Sequence, residues 1–526
     1  MKLILYVALA FCLACIARPV MAQGNYVATE LDREDNFAPL FTEDMNGDGR
    51  DDIVVPYHDR LTGRELHIHE QLADGTFAAE PQRIEIKTEI IAVGFAELRD
   101  DPGMELVLFA GSGVFSLSTR QESYVGNLKP LVQWELIATV PDLERLRFTS
   151  LPDVNGDGKA DLLLPGANEW GLFYGADNET FIPAARFATN NDDLGTRQQR
   201  NRSTELDTRM DISSEEGVVV RLNAATPSPY AGFLQSWEDE PRSDSLLRSD
   251  IWLPNANFNE MDTVPGLDLT YLNTDDEGLA WLHIHNQRVG GAFVTGATAA
   301  DWSGSVDDSG ELRFMDFNGD GLVDLLRLSG DGDEWTAYFY LNLDGKFDLE
   351  TPQQIMRFSG YDLRLEVVRL SSTPSTPTMS TQDAPVLSIN YFTIPVVEAI
   401  RSATLNRVQL LYGSDAVEPG QVFNRQPAAR QEESFSADNV RGLTERATLR
   451  YDVDGDGRND ALYITGNGTL AARRVEDDLT IADEPFWEYV SSRTVVGYEV
   501  MHLNDDALPD LLLLHGTVTT MLVATP

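Results

Sequence analysis

The chain has 526 residues, a formal net charge of −45 and only two cysteines, Cys12 and Cys15. Such an excess of acid repels nucleic acid and anionic membrane surfaces, which argues against both as partners. Because the cysteines lie together near the N-terminus, the rest of the chain has no disulfide scaffold and no thiolate metal site.

The first segment has the order of a secretory signal peptide. Lys2 precedes an apolar run at 3–17 and the small-residue ending V-M-A at 20–22. We therefore predict a signal peptide at 1–22 and a secreted or periplasmic mature chain. A lipid anchor at Cys15 is a weaker alternative, because the residues before it match that signal poorly. No later apolar run is long enough for a membrane span.

A nine-residue acidic loop follows and recurs along the chain. The first copy, D-M-N-G-D-G-R-D-D at 44–52, leads directly into the apolar residues I-V-V-P. Intact copies lie at 153–161, 316–324 and 452–460, and a partial copy lies at 502–510. Two eroded copies, at 97–105 and 260–268, have Pro102 and Pro265 in place of glycine. We expect these two to be metal-free turns.

The spacing of the loops predicts the fold. Most steps between loops are about 50 to 56 residues, and two are nearly double, so we expect a further unit near 205–223 and near 363–412. Each loop follows one β-rich run and precedes three more, without helical periodicity. Four-stranded units at this spacing predict an all-β fold, a β-propeller of about seven or eight blades from up to nine candidate repeats.

The chain ends predict how the ring closes. The last unit lacks one strand, and residues 25–31 are suited to supply it. We therefore predict a single propeller domain over 23–526, in which one of the two long gaps holds an insertion rather than a blade. Polar insertions are expected near 190–204 and 371–381.

The loop composition indicates calcium, which prefers six to eight hard oxygen ligands. Positions 1, 3, 5 and 9 offer side-chain oxygens and position 7 a backbone carbonyl, while glycine at position 6 allows the chain to wrap around an ion. The predicted ligands of the four intact loops are Asp44, Asn46, Asp48, Arg50 and Asp52; Asp153, Asn155, Asp157, Lys159 and Asp161; Asp316, Asn318, Asp320, Leu322 and Asp324; Asp452, Asp454, Asp456, Arg458 and Asp460. A weaker fifth site would use Asn504, Asp506 and Asp510.

Two alternatives to this interpretation were weighed. An EF-hand needs a glutamate at position 12, where this chain has Val55, Leu164, Arg327 and Tyr463. Acidic surface turns use the same residue types for conformational reasons. The recurrence of five matching positions in four copies favours calcium over a simple turn.

The loop D-x-[DN]-x-D-G-x-x-D before a strand resembles the FG-GAP/VCBS repeat family, the calcium-bearing propellers akin to the integrin α-chain head. The resemblance covers the mature chain and implies calcium-stabilised blades and a role in cell adhesion. The Phe-Gly and Gly-Ala-Pro dipeptides of the integrin form are mostly missing, which puts an integrin-like ligand in doubt. Related calcium propellers include polysaccharide-degrading enzymes.

Other residues were considered as functional sites. His67 with His69, and His283 with His285, each share a strand face, but neither pair has an adjacent third zinc ligand. The tryptophans suit either a sugar-stacking platform or packing between blades, and packing is favoured. No G-x-S-x-G, H-E-x-x-H or phosphate-binding glycine loop occurs.

The expected function is a secreted calcium-binding propeller that acts as a non-catalytic binding, adhesion or protein-interaction module. Its expected partner is a protein or glycan at the cell surface or in the periplasm. The alternative is a carbohydrate-active propeller, either a polysaccharide lyase or a lectin.

Overall fold

The structure is a computed structural model. It describes residues 26–32, 40–59, 63–121, 125–136, 147–167, 169–189, 219–221, 256–275, 279–294, 300–306, 310–331, 333–371, 384–394, 404–414, 421–436, 447–465, 468–495, 497–504, 506, 508–515 and 517–525. The predicted signal peptide, the insertion at 190–204 and all but Ser371 of the insertion at 371–381 lie outside these residues.

The described residues form 33 strands. The first half of the chain contains β1 (Tyr26–Asp32), β2 (Phe41–Glu43), β3 (Asp52–Asp59), β4 (Gly63–His69), β5 (Gln82–Ile86), β6 (Ile90–Ala96), β7 (Glu105–Ala110), β8 (Gly113–Ser118), β9 (Lys129–Gln133), β10 (Arg147–Phe148), β11 (Leu162–Gly166), β12 (Glu169–Ala176), β13 (Thr180–Ala188), β14 (Val219–Arg221) and β15 (Ala256–Asn259).

The second half contains β16 (Asp268–Thr274), β17 (Ala280–His285), β18 (Trp302–Val306), β19 (Gly310–Met315), β20 (Asp324–Asp331), β21 (Glu334–Tyr340), β22 (Gln354–Ser359), β23 (Tyr361–Val368), β24 (Val386–Thr393), β25 (Thr404–Tyr412), β26 (Ala429–Ser436), β27 (Thr448–Tyr451), β28 (Asp460–Ile464), β29 (Leu470–Arg473), β30 (Trp487–Tyr489), β31 (Gly497–Met501), β32 (Asp510–Leu514) and β33 (Val518–Ala524). No helix in the described part is long and apolar enough to cross a membrane.

These strands form eight antiparallel sheets, which we number as blades along the chain. Blade 1 is β2–β5, blade 2 is β6–β9, blade 3 is β11–β13 and blade 4 is β15–β18. Blade 5 is β19–β22, blade 6 is β23–β26, blade 7 is β27–β30, and blade 8 is β31–β33 with β1. The all-β propeller predicted from the sequence is confirmed, with eight blades. The predicted strand–loop–three-strand unit is complete in six of them, whereas the described part of blade 3 lacks the first strand and blade 6 has no acidic loop.

The ring closes as predicted. β1 pairs antiparallel with β33, from Tyr26 opposite Ala524 to Asp32 opposite Val518. The N-terminal strand therefore completes a blade whose other three strands end the chain. Tyr26 also packs edge-on against Trp487 and Tyr489 of blade 7.

The hydrophobic core is divided among the blade junctions. Each of the eight clusters of buried apolar side chains combines residues of two neighbouring blades. One of them joins Ile53 and Phe77 of blade 1 to Leu503 and Met521 of blade 8. Burial of these faces between successive sheets drives ring formation, since each sheet alone would leave both faces in water.

The two long gaps have different contents. The region 363–412 provides blade 6, although it contains no acidic loop. In the region 205–223, the described residues are those of β14, which pairs with β19 as a fifth strand of blade 5. Residues 146–152, expected to give the first strand of blade 3, form only β10, which pairs in parallel with β6 of blade 2. Gly94 allows this approach, because a Cβ there would lie 2.9 Å from the Thr149 carbonyl oxygen.

Candidate metal-binding loops

In each intact loop, the carboxylate at position 1 gathers backbone N–H groups of the same loop. In the second copy, Asp153 Oδ1 accepts from Gly156 N at 2.8 Å and Asp153 Oδ2 from Gly158 N at 2.6 Å. The equivalent pair of bonds is made by Asp44, Asp316 and Asp452. This pattern curls the loop around one carboxylate.

The curl requires glycine at position 4 as well as at position 6. The backbone φ is +75° at Gly156 and +84° at Gly158, in the left-handed region that glycine tolerates. The other three intact loops have positive φ at the same two positions. Only the glycine at position 6 was predicted from the sequence to have this role, although N-G-D-G or D-G-D-G occurs in all four copies.

Positions 3, 5 and 7 form consecutive side-chain turns. In the second loop, Asn155 Oδ1 accepts from Asp157 N at 2.9 Å, and Asp157 Oδ1 accepts from Lys159 N at 3.0 Å. The third loop repeats this with Asn318, Asp320 and Leu322, and the fourth with Asp454, Asp456 and Arg458. In the first loop, Asp48 accepts from Arg50 N, while Asn46 Nδ2 lies 3.3 Å from Asp52 Oδ1.

The carboxylate at position 9 is buried and connects the start of the loop to the third strand of the blade. Asp161 Oδ2 accepts from Val154 N at 2.8 Å, and Asp161 Oδ1 accepts from Gly175 N at 2.7 Å. In five other loops the N–H at position 2 donates in the same way to the position 9 carboxylate, which is Glu105, Asp268, Asp324, Asp460 or Asp510. Since Glu105 and Asp268 belong to the eroded loops, this role does not depend on the full set of predicted ligands.

Burial makes these position 9 carboxylates hard to ionise. It raises the pKa of Asp52, Asp324 and Asp460 to about 7, and that of Asp161 to about 6. Backbone N–H bonds oppose this rise and neighbouring loop aspartates add to it. A divalent cation near such carboxylates would favour their ionised form.

The residues present fit a hard cation. In the fourth loop, oxygens of Asp452, Asp454 and Asp460 lie within 4.8 Å of one another, the only such acidic group among the described residues. In the first loop, Asp52 Oδ2 is buried and has no hydrogen-bond partner. An unpaired buried carboxylate oxygen is costly, so it needs a cation or a donor. Asparagine at position 3 explains why the other intact loops bring fewer carboxylates together.

Basic side chains also contact the predicted ligands. The Arg474 guanidinium lies 2.9 Å from Asp456 Oδ2 and pairs with Asp454. Arg369 of blade 6 lies 2.7 Å from Asp316 Oδ2, and Arg50 pairs with Asp48. These guanidiniums would compete with a metal ion for the same oxygens.

The fifth, partial loop keeps part of the pattern. Asn504 Oδ1 accepts from Asp506 N and Asp506 Oδ1 from Leu508 N, both at 2.8 Å. Asp510 is buried between Leu503 N and Ala524 N. The exposed His502 at position 1 offers no carboxylate to gather backbone N–H groups.

The eroded loop at 97–105 forms an ion pair with the next blade. Arg99 stands at position 3, where the intact loops have an oxygen ligand, and it pairs with Glu179 of blade 3. Glu179 also accepts from Ser116 Oγ and pairs with Lys129. This contact between residues 80 positions apart could not be found from the loop motif.

Three buried amide side chains join neighbouring loops, and we call them the amide latch: Gln71, Gln287 and Asn342. Asn342 N donates to the position 9 carboxylate Asp324 at 2.7 Å, and Asn342 Nδ2 donates to the Met261 carbonyl of the preceding loop at 2.8 Å. Gln71 and Gln287 make the same two contacts. These three amides were not predicted from the sequence, although polar residues follow the corresponding strand in several units.

Backbone hydrogen bonds also join the loops, and as with the amide latch the donor belongs to the later loop and the acceptor to the preceding one. The N–H at position 8 donates to a position 1 or 2 carbonyl of the preceding loop, as Val323 does to Glu260 at 2.8 Å. Met104 donates to Asp44, Leu267 to Val154, and Asp51 to Leu503 across the chain ends. These four backbone bonds therefore each couple one acidic loop to the preceding one.

The other candidate residues serve packing. His69 Nδ1 is 2.9 Å from the Ala78 carbonyl, and His285 stacks on Tyr271. Trp134 of blade 2 donates to the Pro165 carbonyl of blade 3. Trp237 lies outside the described residues.

No family model matches the chain, and no curated protein matches it. Solved structures give weak likenesses. One is the structure of an Agrocybe aegerita lectin in specific recognition of non-reducing terminal N-acetylglucosamine, with 13% identity, a TM-score of 0.34, and coverage of 70% of this chain and 87% of that one.

The V. cholerae biofilm matrix protein Bap1 has 10% identity and a TM-score of 0.35, over 97% of this chain and 90% of that one. Neither likeness carries an argument about function. The propeller assignment rests on the strand order and on the core clusters between blades.

Proposed function

We propose that this protein is an exported β-propeller that holds about four calcium ions in its blade loops and acts as a binding or adhesion module without catalysis. The observation that supports the metal most directly is the approach of Asp452, Asp454 and Asp460 oxygens within 4.8 Å. Bound calcium would supply positive charge and oxygen coordination to the curled loops.

The role proposed for the metal is structural. The loop carboxylates accept backbone N–H groups of their own loop, and in four loops the position 8 N–H donates to the preceding loop. A metal ion that fixes one of these loops therefore also stabilises its contact with the neighbouring blade. Neutralising mutually repelling carboxylates would stabilise the native state further.

The proposal of binding rather than catalysis is supported by the roles of the buried acids. The position 9 carboxylates have raised pKa values, a property common to catalytic acids, yet burial in the blade causes the rise and each carboxylate accepts at least one backbone N–H. Their perturbation is explained by the fold. The lyase alternative predicts unsaturated products from uronate polysaccharides, which ultraviolet absorbance would detect.

Export is proposed from the leader-like segment at 1–22, which lies outside the described residues. The predicted ligand is a protein or glycan at the cell surface or in the periplasm. Mass spectrometry of the protein from its native host would locate the mature N-terminus. An uncleaved chain retained in the cytoplasm would contradict this part of the proposal.

Thermal unfolding and calcium titration test the metal directly. Excess calcium should raise the melting temperature relative to chelator, and Asp452→Ala or Asp316→Ala should each lower the stoichiometry by about one ion. Glu260→Ala, at position 1 of an eroded loop, is the matched control and should leave the stoichiometry unchanged. Identical melting curves in calcium and in chelator would overturn the proposal.

A glycan array and a panel of surface proteins, both with calcium present, test the binding role. Saturable binding that is lost in chelator supports a calcium-stabilised binding module. Absence of any ligand on both panels, for a folded and calcium-loaded protein, would count against it.

A further inference from the structure

One arginine, Arg474, contacts two of the predicted calcium ligands of the fourth intact loop. It directly follows β29, the third strand of blade 7, whose first two strands are joined by that loop. Arg474 Nη2 donates to Asp454 Oδ2, and Arg474 Nη1 donates to Asp456 Oδ2 at 2.9 Å. The guanidinium carbon also lies 4.9 Å from the centre of the Phe486 ring. Three contacts therefore hold the guanidinium against the loop.

The two ion pairs use the carboxylate oxygens that do not accept from the loop backbone. Asp454 Oδ1 accepts from Asp456 N at 3.2 Å, and Asp456 Oδ1 accepts from Arg458 N at 3.0 Å. The other oxygen of each aspartate is the one most available to a calcium ion, and both are paired with Arg474. A calcium ion that uses these two oxygens has to separate them from the guanidinium, which lowers its net free energy of binding.

The second loop provides a comparison without such an arginine. Asp157 Oδ2, which is equivalent to the oxygen that Arg474 contacts at position 5, accepts from the neutral amide Asn155 Nδ2 at 3.2 Å. In the part of the chain that the structure describes, no basic side chain forms an ion pair with Asp153, Asp157 or Asp161. A neutral amide is displaced from a carboxylate more easily than a guanidinium, because charge-assisted hydrogen bonds are stronger.

The second and fourth loops otherwise match in their basic residues and differ by one carboxylate. In both, the base at position 7 pairs with an acid that follows the third strand, Lys159 with Asp177 and Arg458 with Asp477. The fourth loop has an aspartate at position 3 where the second has an asparagine, and an extra ligand charge favours calcium. The positive charge of Arg474 offsets that extra charge, and its contacts with two ligand oxygens add a further cost.

We propose that Arg474 is a built-in competitor of calcium, which lowers the affinity of the fourth loop so that this loop fills after the second as calcium rises. The proposal rests on the proposed function, in which these loops bind calcium, and adds a regulation of one of the sites. The fourth loop then changes its occupancy at calcium concentrations at which the second loop stays loaded. Blade 7 therefore responds to changes in calcium that leave blade 3 unaffected.

Calcium titration of the full chain tests the order of filling. Equilibrium dialysis measures the ions bound per chain in the parent, in Asp153→Ala and in Asp452→Ala. The difference between the parent and each variant gives the affinity of the missing site, because sites in blades 3 and 7 are distant enough to act independently. The site lost in Asp153→Ala should fill at a calcium concentration at least about threefold lower than the site lost in Asp452→Ala.

Substitution of the arginine tests the cause of this order. Arg474→Gln should raise the calcium affinity of the fourth loop at least about fivefold. The gain should be absent from Asp452→Ala/Arg474→Gln, because that chain lacks the site. Arg493→Gln is the matched control, since the Arg493 side chain is 49% exposed, against 46% for Arg474, and pairs with Glu30 instead of a loop acid. It should leave the affinity within about twofold of the parent.

Thermal unfolding distinguishes a competitor from an arginine that only stabilises the blade. In chelator, Arg474→Gln should melt below the parent, because Asp454 and Asp456 lose their counter-charge. In excess calcium this deficit should disappear, since the ion takes the place of the guanidinium and the tighter site gains more from calcium. An arginine with a structural role alone would leave the same deficit in both conditions.

Three results would overturn the proposal: an affinity of the fourth loop in Arg474→Gln within about twofold of the parent, filling of the fourth loop before the second, or equal melting deficits in calcium and in chelator. In each case the parent still binds calcium, so the proposed metal sites stand. If the parent binds no calcium in the titration, the proposed function loses its metal and this proposal fails with it.

Discussion

At the scale of single residues, the acidic loop separates two tasks that the sequence motif presents as one. The carboxylate at position 1 curls the loop and is partly open to solvent, whereas the one at position 9 is buried and joins the loop to the third strand. In the arrangement we propose, both carboxylates also bind the metal. The joining task of position 9 occurs in the eroded loops as well.

This separation predicts that two substitutions differ in how calcium changes their effect on stability. Asp268→Ala removes an acceptor shared by Met261 N, Asp262 N and Gln287 N, and should lower the free energy of unfolding by about 2 to 4 kcal/mol. The loss should be equal in calcium and in chelator, as measured by urea unfolding. Asp452→Ala also removes an acceptor of backbone N–H groups, so it should destabilise in both conditions and by a larger amount in calcium. A calcium-dependent loss for Asp268→Ala would contradict the assignment.

Buried His285 predicts an acid-sensitive junction. Burial lowers the pKa of His285 to about 4, with the His283 charge adding to the effect and Asp301 opposing it. In the unfolded chain the His285 imidazole becomes protonated below about pH 6.5, whereas in the native state it stays neutral down to about pH 4. Stability from this group is therefore complete above pH 6.5 and is lost as the pH falls towards 4.

His285→Phe keeps a ring against Tyr271 and removes the titrating group. Between pH 7.5 and pH 5, the parent should lose about 2 kcal/mol more than this variant. Urea unfolding at both pH values measures the difference. His502→Gln, at an exposed position, should behave like the parent. Equal losses in the parent and His285→Phe would refute the prediction.

At the scale of elements, blades are joined by polar contacts as well as by core packing. Asn342 of the amide latch makes two side-chain bonds to backbone carbonyls and accepts one from Gly345 N. Asn342→Leu should cost about 2 to 3 kcal/mol, because several buried groups lose their partners. Chemical denaturation measures the cost. Asn406→Ala, which loses two exposed side-chain contacts, to Glu432 and Ser434, should change stability by no more than about 0.5 kcal/mol.

The sequence predicted these elements unevenly. Position 1 carboxylates and position 6 glycines were readable, because they act within nine residues. Two other features could not be predicted from the sequence, because they depend on how neighbouring blades pack. They are the pairing of Arg99 with Glu179 and the contacts of the amide latch with the preceding blade. Blade 6 was expected only from a doubled spacing, since its strands follow no acidic loop. Parallel pairing of β10 with β6 depends on space at Gly94, which no local pattern reveals.

At the scale of the whole molecule, ring closure depends on β1. Deleting residues 1–32 should expose the edge of β33 and remove the contacts of Tyr26 with Trp487 and Tyr489. We expect a lower melting temperature and association through the open edge, measured by calorimetry and light scattering. A chain lacking only residues 1–25 is the control. A peptide of residues 25–32 should restore the parent behaviour, and unchanged melting without β1 would refute this role.

The pairing of β1 with β33 also fixes an order of events in the life of the chain. Of the described strands, β1 is made first and β33 last, so β1 waits unpaired until β33 has been synthesised. Contacts so distant in sequence form slowly, and unpaired strands are prone to aggregate meanwhile. Closure of the ring must therefore follow the synthesis of β33. Among the described strands, β1 therefore has to be kept from aggregating for the longest time.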